Sequence, residues 1–170
     1  MATRGTLILH GGIFNYEDPR NDALGQAIIE TMETWSDGRI GAPLVFVPGA
    51  RRDVTDEDEA TFEAQWSDIM AEGVPFTVLH ADNQGPESTN VADAAQANTD
   101  GFVEPLRSAM GVFIPGGRQW RFIDAYKYTK TEEELWNVLD RDGVINVDLF
   151  DYVRDPKEFE FEHKSVQAIK

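Results

Sequence analysis

The chain's 170 residues and 41% hydrophobic content suit one globular α/β domain with a core of its own, and its lack of cysteine excludes disulfides, cysteine-rich zinc sites and a cysteine nucleophile. Thirty-one acids against 15 bases leave a net charge of −16, which argues against nucleic-acid and anionic-membrane partners, since phosphate binding needs clustered Lys and Arg. Only five of the bases are lysines, at 127, 130, 157, 164 and 170, and such a surface fits a solvated, salt-adapted protein.

The first four residues lead at once into a strand-like segment too short in apolar residues for a signal-peptide core. No run reaches membrane-spanning length, so the expected location is the cytoplasm. Four apolar runs follow: Thr6-Leu-Ile-Leu-His-Gly-Gly12, Leu44-Val-Phe-Val-Pro-Gly-Ala50, Phe76-Thr-Val-Leu-His-Ala-Asp82 and Gly111-Val-Phe-Ile-Pro-Gly-Gly117. Continuous rather than alternating apolarity predicts strands at 6–10, 44–48, 76–80 and 111–115, buried on both faces of a parallel sheet. Their starts lie 38, 32 and 35 residues apart, about one βαβ unit each.

Helical patterns fill the gaps. Asp18-Pro19 reads as an N-cap and a first-turn proline, ahead of Leu24, Ala27, Ile28, Thr31 and Trp35 along one face. A second helix starts near Thr55-Asp56 and carries Phe62, Trp66, Ile69 and Met70. The Gly-, Pro-, Ser- and Asn-rich stretch from Asn83 to Asn98 predicts a long loop with a short helix. Thr131-Glu-Glu-Glu134 reads as a capping box leading into Leu135, Val138 and Leu139, with Gly143 as the stop. Val144-Ile145 can begin a fifth strand, after which the pattern changes. Residues 1–145 therefore form the α/β domain and 146–170 a divergent tail, in which Glu158-Phe-Glu-Phe-Glu162 alternates like an edge strand. Trp35, Trp66 and Trp136 sit at helical spacing and are expected in the core.

The segment Gly111-Val-Phe-Ile-Pro-Gly-Gly-Arg-Gln-Trp-Arg-Phe122 resembles the strand and turn of the cyanophycinase and dipeptidase E family of serine peptidases: an apolar strand, two glycines, a variable residue, then Gln or Asn and a short helix. Leu7-Ile-Leu-His-Gly-Gly12 is similar to that family's opening strand and glycine loop, and Val45-Phe-Val-Pro-Gly-Ala50 to its second strand. The resemblance covers residues 5–145. It implies a flavodoxin-like three-layer α/β/α fold, with a parallel sheet of four to five strands, as in class I glutamine amidotransferase-like proteins. It further implies that a backbone N–H of Gly116 or Gly117 helps form an oxyanion hole and that Gln119 lies beside the substrate. Glycines after a strand do let the backbone turn sharply and present its N–H groups; the plainer reading is a strand-to-helix turn and nothing more.

The departure lies at the nucleophile. The family carries Gly-x-Ser-x-Gly on its fifth strand, where a strained turn exposes the serine. Here the position reads Val144-Ile-Asn-Val-Asp-Leu-Phe150, and no glycine follows Gly143. None of Ser36, Ser67, Ser88, Ser108 and Ser165 has flanking glycines at that spacing, and nothing around His163 matches the family's later histidine. The chain is expected to be catalytically silent, either as a truncated relative, which the abrupt change after Ile145 favours, or as a dedicated non-catalytic one.

Other residues point to a ligand. Arg51 and Arg52 follow the second strand and Arg118 with Arg121 the fourth, at the carboxyl ends where open α/β sheets hold ligands. Basic groups there suit a small acidic peptide or carboxylate, although Asp53, Asp56 and Asp124 could simply pair with them. His10 and Gly12 close the first strand on the same edge. In the expected order strands one and three are neighbours, so His10 and His80 would approach with Asp82; two histidines without a spaced third ligand make a weak metal site, and none is assigned. No phosphate-loop or Gly-x-Gly-x-x-Gly sequence is present and no cofactor is expected. A homodimer is left open.

Overall fold

The computed structural model describes residues 5–10, 43–49, 60–64, 75–80, 94–117 and 119–149, together with positions 23, 26, 30 and 57. Among the described residues there are five strands: β1 (Thr6–His10), β2 (Leu44–Phe46), β3 (Phe76–Val78), β4 (Gly111–Ile114) and β5 (Val144–Asp148). Four helices complete the second half: α1 (Ala94–Ala97), α2 (Asp100–Ser108), α3 (Gln119–Tyr126) and α4 (Lys130–Asp140). Positions 23, 26, 30, 57 and 60–64 are also helical, within the two stretches expected to be helices. The remaining expectations on Asp18–Trp35, Trp66–Met70, 83–93 and 150–170 fall outside the described residues, as do Gly12, Arg51, Arg52 and Arg118.

All strand pairs are parallel, in the order β1-β5-β4-β2-β3. The expected α/β fold with a parallel sheet is therefore present, and the fifth strand runs through Asp148. The order corrects one expectation: β1 and β3 are not neighbours but opposite edges, so His10 and His80 cannot share a ligand. Among the described residues, no group of three metal-ligating side chains forms.

Register assigns the two faces. Val45, Val112 and Ile145 stand in one row beside Leu7, and Phe46, Phe113 and Asn146 in the next beside Ile8. Neighbouring rows point to opposite faces. On one face Val45, Val47, Val112, Ile114 and Ile145 pack under Leu106, Tyr126, Val138 and Leu139 of the helices. On the other, Phe46 stacks on Phe113 at 5.5 Å and meets Phe62, from the helical segment 60–64, at 5.0 Å. Helical residues thus cover both faces of the central strands, and the continuous apolar runs of β2 and β4 reflect burial on both. β1 departs from that expectation, because among the described residues it pairs on one side only and leaves Leu7 and Leu9 exposed.

Helix α2 was not expected, because Gly101 and Pro105 disguise it. Its start is nonetheless well made. Thr99 is the N-cap and accepts from the Phe102 N–H at 3.3 Å, while Asp100 occupies the first turn and Arg107 the last. Arg141 closes the far end by donating to the carbonyls of Ala109 (3.0 Å) and Leu106.

Helix α4 begins earlier than the capping-box reading placed it. Thr129 is the N-cap, and Thr131 is buried and donates to the Ala97 carbonyl at 2.8 Å, joining α4 to α1. Glu132 still reaches back, accepting the Tyr128 N–H at 2.6 Å. At the other end the N–H of Gly143 bonds Val138 O (2.8 Å) and that of Asp142 bonds Leu139 O (3.2 Å), the paired closure of a Schellman motif. The left-handed position is Asp142 (φ 68°) rather than Gly143. Gly143 is small for another reason: a Cβ there would lie 2.6 Å from Val138 Cγ1. Trp136 is the other correction. It points outward and is 58% exposed, because Leu135, Val138 and Leu139 already occupy the inward face of α4.

Candidate functional site

In an open parallel sheet, ligands settle where neighbouring strands send their chains to opposite sides. Here that point lies between β2 and β4: the chain leaves β2 for β3 on one side and β4 for β5 on the other. Beyond β4 the backbone turns through Pro115-Gly116-Gly117 into α3. Gly117 has φ of 150°, a conformation that side-chain-bearing residues rarely adopt, so this glycine is demanded by the turn itself.

Gln119, the first residue of α3, fastens the turn to the next strand. Its Nε2 donates to the Asp148 carbonyl at 3.1 Å and approaches the Gly117 carbonyl at 3.4 Å. Its side-chain amide therefore sits between the ends of β4 and β5.

A polar cluster closes the neighbouring end of β5 and β1. His10 and Asp148 are register partners, and His10 Nδ1 lies 3.7 Å from Asp148 Oδ1. The other ring nitrogen, Nε2, is 3.0 Å from Asn146 Oδ1. The Leu149 N–H donates to the His10 carbonyl at 2.7 Å and carries the pairing past the strand end. Asn146 is fully buried and Asp148 is 1% exposed. The Asn146 Nδ2 donor is buried and, among the described residues, has no hydrogen-bond partner. Burying a carboxylate, an imidazole and a carboxamide together costs desolvation, which their mutual contacts offset in part.

The structure thus brings Gly116, Gly117, Gln119 and His10 to one edge, linked through β5, and leaves His80 at the far edge of the sheet. Arg121 does not join the expected basic group at the mouth: it is buried and its guanidinium lies over the Trp120 ring, 5.4 Å from the centroid. Asp148 and Asn146 were missed as site residues. Their signal was present, since both are polar residues on the same face of an otherwise apolar strand. It is hidden because their partner, His10, lies 136 residues from Asn146 in the chain and meets them only across the sheet. Ser108, the one serine among the described residues, ends α2 at the opposite edge, where β4 begins.

No protein-family model and no curated protein matches the chain. Among solved structures, the chain is similar to the crystal structure of a peptidase from an acI-B1 Actinobacterium, with a TM-score of 0.62 and 16% sequence identity over 85% of this chain. The match takes in 53% of that protein, so the chain spans about half the length of the structure it resembles. At this identity the likeness is one of fold.

Proposed function

We propose that this domain is a non-cleaving relative of the cyanophycinase-type serine peptidases, and that its carboxyl-edge crevice holds a small peptide or other ligand bearing a carboxylate. The observation that carries this reading is the Gly116-Gly117 turn tied by Gln119 to the end of β5, on a fold shared with a solved peptidase. The turn holds Gly117 at φ of 150°, a conformation glycine adopts more readily than other residues. The strand that should deliver the nucleophile ends in Asp148, a buried carboxylate beside His10.

Acyl transfer needs a nucleophile, a base within hydrogen-bond reach of it, and a donor pair for the oxyanion. Of these we assign only the donor element, to the Gly116-Gly117 turn, because no serine in the sequence is flanked by glycines in the Gly-x-Ser-x-Gly pattern. Loss of the serine alone lowers kcat by about 10⁶-fold in the subtilisin example. Binding without turnover is what remains. The carboxylate preference rests on the sequence, in which Arg51 and Arg52 follow β2 and Arg118 follows β4.

The test pairs two measurements on the full chain with aspartyl dipeptides. No amino acid is released and no fluorophosphonate labelling occurs, while the melting temperature rises with dipeptide concentration. Release of product, or labelling by the probe, would return the protein to the hydrolases; an unmoved melting temperature would remove the ligand from the reading.

A further inference from the structure

A second concave site lies away from the carboxyl edge, between the C-terminal half of α3 and the first turns of α4. It is a cleft of about 260 Å³ lined by Phe122, Ile123, Tyr126, Lys127, Glu132 and Leu135. Four of the six are apolar or aromatic, and Phe122 and Tyr126 already form an edge-to-face pair with centroids 4.9 Å apart. Aromatic walls of this kind favour a third ring at similar spacing. The volume falls just below the ~300 Å³ at which drug-sized sites begin, so the occupant is small.

The two charges in the lining decide its chemistry. Lys127 Nζ rests over the Tyr128 ring at 4.8 Å from the centroid and, among the described residues, meets no carboxylate. Glu132 spends one oxygen, Oε2, on the Tyr128 N–H and leaves Oε1 open. The two side chains do not pair with each other, although both line one cleft. A chain so rich in acid places one of its few lysines there, opposite a carboxylate with an unused oxygen.

We propose that this cleft is a binding site for a free aromatic α-amino acid. The ring enters the apolar interior beside Phe122 and Tyr126, the ligand's carboxylate meets Lys127, and its ammonium donates to Glu132 Oε1. A purely anionic ligand would meet repulsion from Glu132, and a purely cationic one from Lys127. The zwitterion satisfies both, which is how opposite unpaired charges become selectivity. Because α3 carries Gln119 at its other end, occupancy would be felt seven residues, or about 10 Å, from the carboxyl-edge turn.

The experiment is a titration of the full chain with L-phenylalanine, followed residue by residue in amide NMR spectra. The comparison ligands are 3-phenylpropanoate, which lacks the ammonium, and 2-phenylethylamine, which lacks the carboxylate. Phenylalanine is expected to bind at least about tenfold tighter than either, with shifts centred on Ile123, Tyr126 and Leu135. Lys127→Met should bring phenylalanine down to the affinity of 2-phenylethylamine. Glu132→Gln should bring it to that of 3-phenylpropanoate, while its amide oxygen still accepts the Tyr128 N–H and keeps the start of α4. Equal binding of all three ligands, no binding at millimolar concentration, or shifts centred on Gly116–Gln119 would each overturn the assignment. The last outcome would place the amino acid in the carboxyl-edge crevice instead.

Discussion

Gly117 shows how one backbone angle can carry a functional argument. At φ of 150° a Cβ is strained whatever space surrounds it, so Gly117→Ala must either bear the strain or move the turn. The expected loss is about 1–3 kcal/mol in urea unfolding, accompanied by loss of the dipeptide-induced rise in melting temperature. A variant of unchanged stability that still responds to dipeptide would show that the turn is not the ligand's seat. The glycine pair was legible in the sequence because turn chemistry is local. The partners of His10 were not. Asn146 and Asp148 reach it across the sheet, and only the register of β1 against β5 reveals that a histidine, a carboxylate and a carboxamide share one buried edge.

At the scale of elements, the apolar runs gave the strands within a residue or two, because burial on both faces leaves a plain mark on sequence. Helix α2 escaped notice because its stability lies in its ends and neighbours: Thr99 at one end, Arg141 from beyond α4 at the other. Its first turn also carries an electrostatic joint to α4. Asp100 lies 2.9 Å from Lys130 Nζ and 2.5 Å from Arg107, and hydrogen bonds from those two cations hold its carboxyl below the usual carboxylate range. A depressed folded-state value means stabilisation that is present above the unfolded value and lost as pH falls through the folded one. The melting temperature of the wild type should therefore exceed that of Asp100→Asn by a small, constant margin down to about pH 4, and the margin should close below it. The joint is exposed, so the margin is modest and shrinks with added salt. A margin that persists unchanged in strong acid would assign the difference to helix capping rather than to charge.

For the molecule as a whole, spacing revealed the alternation of strand and helix but not the strand order, because the order is decided by contacts between segments far apart in the chain. That order has a consequence for how the protein is made. Among the described residues β1 has one neighbour, β5, which is made after the other four strands: His10 and Asn146 touch although they lie 136 residues apart. At about 5–20 residues per second, a ribosome needs roughly 7–27 s to produce β5 after β1 has appeared. Throughout that interval Thr6–His10 lacks the β5 partner it has in the finished sheet, where Leu7 and Leu9 remain 51% and 57% exposed. Nascent chains halted before Val144 should be cut by thermolysin at Leu7 or Leu9, whereas the released full chain resists cutting there because its backbone is paired with β5. Equal resistance in both would mean that β1 finds a temporary partner during synthesis. Sites where association with chaperones or with sister chains begins should accordingly cluster at β1, whose long wait follows from its pairing with β5.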